Sequence, residues 1–134
     1  MMDTKAFAKA RGIRVEVLSD DGTRWDADGW EHRAFTLRLH RAESSATMDT
    51  DWRQGMGVTS SPEDEPGTVL DSLASDALLG LEHFDAFCGD LGYDTDSRKA
   101  FAAWEACQRT ADQLATFLGG DDQRDRLIYD VARL

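Results

Sequence analysis

The stretch Phe35-Thr36-Leu37-Arg38-Leu39-His40-Arg41-Ala42-Glu43-Ser44-Ser45-Ala46-Thr47-Met48-Asp49-Thr50-Asp51-Trp52 decides the fold of this chain. Phe35, Leu37 and Leu39 alternate with Thr36, Arg38 and His40, the period of a strand with one buried face. Glu43-Ser44-Ser45 breaks the alternation with turn-forming residues. Ala46, Met48, Thr50 and Trp52 then alternate with Thr47, Asp49, Asp51 and Arg53. This is the pattern of an antiparallel hairpin. Upstream, Ile13, Val15 and Val17 alternate with Arg14 and Glu16, which adds a further strand. Asp20-Asp21-Gly22-Thr23 reads as a turn after it, and Asp28-Gly29 as the entry to the next strand. Residues 3–10 predict a short helix that Gly12 ends.

Downstream the period changes. Residues 54–67, with three Gly, two Pro and the triplet Glu63-Asp64-Glu65, read as a connector. Thr68 and Asp71 resemble a capping box, and Leu70, Leu73, Ala74, Ala77 and Leu81 share one helical face. Phe84, Phe87, Cys88 and Leu91 repeat at helical spacing, with Gly92 as a left-handed stop. Thr95 or Asp96 caps a long helix with Phe101, Trp104, Cys107, Ala111, Leu114 and Leu118 on its apolar face. Gly119-Gly120 ends it. Asp121 or Asp122 opens a last helix carrying Leu127, Ile128, Val131 and Leu134. Strands followed by helices predict an α+β fold, with about three antiparallel strands and three to four helices on one face of the sheet.

The length, 134 residues, is that of a single domain able to bury a core without metal or disulfides. Cys88 and Cys107 are far apart and outside any CxxC spacing, so they read as reduced thiols. No run approaches the roughly 18 apolar residues of a membrane span, and the first fourteen residues hold no signal-like apolar run. The expected location is the cytoplasm.

The net charge is −11, which opposes binding to nucleic acid or anionic membrane. Residues 1–53 carry ten acids and nine bases, and residues 98–134 carry six of each. Residues 54–97 carry ten acids and no Lys or Arg. The excess thus sits in one third of the chain: Glu63, Asp64, Glu65, Asp71, Asp76, Glu82, Asp85, Asp90, Asp94 and Asp96.

Specific chemistry finds little support. His32, His40, His83 and Cys88 form no ligand pair at metal spacing, and His83 and Cys88 fall on different sides of a helix. Asp94-Thr95-Asp96, with Glu105 at the twelfth position, imitates part of a calcium loop. Arg98 and Lys99 occupy its fifth and sixth positions, where a ligand and a glycine are needed. No Ser or Cys sits in a nucleophile motif. Gly55-Met56-Gly57 lacks the helix and the Lys of a phosphate loop. Any two acids can meet as an acid–base pair, but nothing in the pattern singles out two. No enzyme, metal or cofactor is therefore expected.

The acidic stretch admits two readings. One is a solvated surface that keeps the protein soluble. The other is a negative surface aimed at a basic, nucleic-acid-binding site of another protein, with the ten acids above as contacts. An even spread of bases would place about five in this segment, so their absence favours the second reading. A separate possibility is an aromatic anchor for a protein partner at Trp25, Trp30 or Met56, with the acids only solubilising.

Gly92-Tyr93-Asp94-Thr95-Asp96-Ser97-Arg98-Lys99-Ala100, with Val69-Leu70-Asp71-Ser72-Leu73-Ala74-Ser75-Asp76-Ala77 and Trp52-Arg53-Gln54-Gly55 before it, resembles small accessory proteins of bacteriophages and prophages. The resemblance covers residues 52–118 and carries over no catalytic residues. It implies a non-enzymatic phage protein in a bacterial host cell. Such proteins include anti-CRISPR and antirestriction inhibitors that block nucleic-acid sites on host defence complexes, by analogy of size, charge and origin.

Overall fold

The alternation around Leu37 and Leu39 builds a three-stranded antiparallel sheet in the order β1-β2-β3. The computed structural model describes residues 3–25, 31–54 and 66–133, and the side chains of 20–25, 31–35 and 51–54 are outside that description. Strand β1 spans Ile13–Trp25, β2 Glu31–Arg41 and β3 Ala46–Gln54. Val15, Leu39 and Met48 stand in register across the sheet, as do Val17, Leu37 and Thr50. Because opposed residues share a face, Ile13, Leu37, Leu39 and Met48 are buried together on one side.

The opposite face holds the charges. Arg38 grips Asp49 directly across β2 and β3 with two bonds, Nε to Oδ1 at 2.7 Å and Nη2 to Oδ2 at 3.0 Å. His40 Nε2 lies 2.8 Å from Glu16 Oε1 on β1. The hairpin between β2 and β3 turns at residues 42–45, with Ser45 in the left-handed region at φ 53°.

One sequence expectation is corrected here. Asp20-Asp21-Gly22-Thr23 does not reverse the chain. Strand β1 runs through it, with register shifts between Val17 and Ser19 and between Asp20 and Thr23. Bulges absorb the extra residues: Leu18, then Asp21 and Gly22, lack partners in the ladder. A Gly beside two Asp is equally at home in a bulge and in a turn, and pairing with β2 decides between them.

The helices follow. Helix α1 is Thr4–Ala10, where the Asp3 side chain accepts the Ala6 N–H at 2.8 Å as N-cap. Gly12 follows at φ 62°. Helix α2 spans Pro66–Leu81, two residues earlier than the expected start at Thr68, with Pro66 at a first-turn position that needs no N–H donor. Helix α3 is Phe84–Leu91, ended by Gly92 at φ 73°. Helix α4 is Arg98–Leu118; its N-cap is Ser97, whose Oγ accepts the Ala100 N–H at 3.2 Å, rather than Thr95 or Asp96. Gly119 ends it at φ 97°. Helix α5, Asp121–Asp125, runs into a π-helical segment over Arg126–Val131 that buries Leu127, Ile128 and Val131. Leu134 lies outside the described residues.

The fold is α+β, a small antiparallel sheet followed by helices. Its contacts gather into two compact units, Met1–Val69 and Leu70–Leu134. In the second unit Phe87, Cys88 and Ala100 form a core cluster, with Leu79, Phe84, Ala103, Trp104 and Cys107 packed against it. Gly80 is what lets α2 approach α4 so closely. A Cβ there would overlap the Cys107 carbonyl and the Gln108 amide nitrogen.

Candidate functional site

The acids of residues 54–97 do not all behave alike once folded. Glu63, Asp64 and Glu65, like Trp30 and Met56, lie outside the described residues, and of Trp25 only the backbone is described. Asp71 and Asp76 are on α2, Asp85 and Asp90 on α3, and Asp94 and Asp96 in the loop before α4. All six side chains are exposed by area.

Two of the acids have surroundings that set them apart. Glu82, in the link between α2 and α3, is half-buried. Its Oε2 is buried without a hydrogen-bond partner. The Glu82 pKa is raised, first by side-chain hydrogen bonding with the Asp90 carboxyl, then by burial and by the Asp90 charge. Asp76 has exposed surface, yet packing around its carboxyl removes solvent and raises its pKa. The Cys107 thiol of α4 has its pKa raised first by burial and then by the charge of Asp76.

Asp85 and Asp94 converge on one place. Both act on the buried Cys88 thiol, which burial raises first and these two carboxylates raise further. The Cys88 Sγ–H also points to the Asp94 carbonyl at 3.9 Å. With Asp90 and Asp96, they form an exposed acidic group around α3 and the loop that follows.

Beside that group lies a feature that the periodicity assigned to core. The face of α4 is buried at Ala111, Leu114 and Leu118, but Phe101 is 45% exposed. Leu91 on α3 is 47% exposed, Tyr93 38%, and Leu81 at the end of α2 43%. Among the described residues, six large hydrophobic side chains are exposed, and these are four of them. Ring contacts connect two of the four. Phe101 meets Phe84 edge-on at 5.4 Å between centroids, Phe84 stacks on Phe87 at 6.5 Å, and Phe87 stacks on Tyr93 at 6.2 Å. Trp104 leans on both Phe84 and Phe101, at 5.4 and 5.7 Å. A row of rings thus runs between two exposed ends. The signal in the sequence is weak: the apolar stripe of α4 continues into a first turn that also holds Arg98 and Lys99, a composition more suited to surface than to core.

Other chemistry finds no comparable support. Among the described residues no group of three or more His, Cys, Asp and Glu is placed to hold a metal ion. No helix among them is long and apolar enough to cross a membrane. A cleft of about 320 Å³ in the first unit is lined by Gly12, Arg14, His40, Arg41, Ala42, Ser45 and Ala46. His40 there is held by Glu16, and Arg41 Nη1 by Glu43 Oε1 at 2.7 Å. Cys88 and Cys107 are free thiols.

No family model matches the chain, and neither a curated protein nor a solved structure is found to match it.

Proposed function

We propose that this chain is a non-enzymatic acidic protein that occupies a basic nucleic-acid-binding surface on another protein and so competes with DNA or RNA there. The proposed target is a host defence complex, CRISPR effectors foremost, met in the cytoplasm of a bacterial cell. The observation that carries the proposal is the exposed group Asp85, Asp90, Asp94 and Asp96, with Asp71 on α2, in a segment that holds no Lys or Arg between residues 54 and 97. A phosphate-binding groove is lined with Lys and Arg, and carboxylates on a helix and loop present the complementary field. No cofactor enters this reading. Glu63, Asp64, Glu65, Asp76 and Glu82 belong to the same proposed contact set.

The test is displacement of labelled target DNA from purified CRISPR effectors, at low and at physiological salt. Asp85→Lys with Asp94→Lys is expected to weaken displacement, and added salt to weaken it in the wild type. Displacement that neither charge reversal nor salt alters overturns the mimic mechanism. Failure to protect phage from CRISPR systems in plaque assays overturns the proposed target.

A second reading has its own observation. The exposed rings of Phe101 and Tyr93 suit a protein partner bound through apolar contact, with the acids only solubilising. It differs from the first reading in being insensitive to salt.

A further inference from the structure

The ring row and the acidic group belong to the same two helices and the loop between them, and together they describe a partner more narrowly than either does alone. Phe101 opens the row at one end and Tyr93 at the other, both exposed, with Phe84 and Phe87 between them. Asp85 and Asp90 project from α3, and Asp94 and Asp96 from the loop after Tyr93. Between residues 82 and 105 there are six acids and two bases, and both bases, Arg98 and Lys99, precede Phe101 in the first turn of α4. Asp94 and Asp96 thus follow Tyr93 in the chain, and Arg98 and Lys99 precede Phe101.

An aromatic face is negative at its centre and attracts cations. A guanidinium stacks on such a face while its fork pairs with a carboxylate, which an ammonium does less well. Exposed rings flanked by carboxylates thus satisfy both parts of an arginine at once. A purely polar, phosphate-like surface has no use for the rings, and a purely apolar dock has no use for the acids.

We propose that the surface of α3, α4 and the loop between them that exposes Phe101 and Tyr93, joined beneath by half-buried Phe84 and buried Phe87, binds an amphipathic, arginine-bearing segment of a protein partner, with an apolar side chain anchored against Phe101 and arginine at Tyr93 and Asp94. This rests on the preceding reading that the partner is basic. It deepens that reading by naming the partner's contacting element as cationic and apolar together.

The probe is a synthetic helical peptide with Leu on one face and Arg on the other, titrated into the full chain by calorimetry. Two controls replace either every Arg with Gln or every Leu with Ser. The parent peptide is expected to bind, and each control to bind at least about tenfold more weakly, since both contact types contribute. Phe101→Ser and Tyr93→Ser are each expected to lose about tenfold. Both side chains are substantially exposed, and Tyr93 lies outside any helix, so at least one variant keeps its helical circular dichroism. If the folded variants bind the parent peptide as tightly as wild type does, the proposal is overturned. Equal affinity for the Leu→Ser peptide overturns it too, as does a self-association that Phe101→Ser abolishes and that excludes the peptide. The outcomes separate the two readings. Nucleic-acid displacement that persists in Phe101→Ser sinks this inference and leaves the mimic. Ring-dependent peptide binding without any nucleic-acid displacement sinks the mimic and leaves this surface.

Discussion

Trp104 on α4 donates its indole Nε1–H to the main-chain carbonyl of Glu82 at 3.0 Å, which ties the long helix to the link between α2 and α3. The same indole supports Phe84 and Phe101 from the side. One residue thus sets both the position of Glu82 and the angle of the ring row. In Trp104→Phe the ring contacts survive in part and the hydrogen bond is lost. The expected cost is about 1 kcal/mol, read as a lower urea midpoint by circular dichroism. An unchanged midpoint would show that the bond contributes nothing net.

Gly80 is the closest point between α2 and α4. In Gly80→Ala the added methyl meets backbone atoms of Cys107 and Gln108, which cannot rotate aside as a side chain would. Overpacking of this kind costs about 1–3 kcal/mol, while replacing Gly by Ala within a helix returns up to about 1 kcal/mol. A net loss of stability is expected in thermal melts, together with faster reaction of Cys107 with a thiol reagent as the helices part.

Two carboxylates give opposite pH dependence. Glu82 has a raised pKa, so the native state binds its proton more tightly than the unfolded chain does. Stability from this group is fully present below the unfolded value and declines as pH rises through the raised one. Asp49 is held below the usual range, chiefly by its hydrogen bonds to Arg38. Its contribution is present above the unfolded value and is lost as pH falls through the lowered one. Glu82→Gln is therefore expected to raise the melting temperature at pH 7 relative to wild type, with the gain shrinking toward pH 4. Asp49→Asn is expected to lower the melting temperature at pH 7 and to flatten the acid limb. Parallel pH–stability curves for wild type and Glu82→Gln would contradict the inward placement of that carboxyl.

Ser45 closes the β2–β3 hairpin with φ at 53°, where a Cβ is crowded by the neighbouring backbone. Glycine adopts this conformation without that cost. Ser45→Gly is expected to stabilise the chain by up to about 1 kcal/mol, offset in part by the greater freedom of Gly when unfolded. Chemical denaturation checks the sign, and a loss of stability would show that the Ser side chain contributes more than its backbone strain costs.

Much of the fold was legible because the relevant forces are local. Alternation at 13–17, 35–39 and 46–52 marks which strand residues share a face, and the sheet buries Ile13, Leu37, Leu39 and Met48 accordingly. Gly92 and Gly119 end their helices where a left-handed residue is needed, as the sequence predicts. The candidate site was legible only as a charge imbalance. Period 3.6 groups Phe101 with Trp104 and Leu114, but a shared face is covered only as far as a neighbouring helix reaches. Helix α3 is just eight residues long, and α4 is twenty-one.

The acidic, base-free run over residues 54–97 and the order of strands before helices are therefore properties of the sequence itself, set by residue types and local spacing. Tertiary structure alone decided which of those acids are solvated. Asp85 and Asp94 remain outside, while one oxygen of Glu82 is buried and packing removes solvent from the Asp76 carboxyl. It also decided that Phe101 and Tyr93 are left at the surface beside them. The physical reason is that solvation of a charge or a ring depends on what the rest of the chain brings within a few ångströms, and a one-dimensional pattern carries no record of that approach.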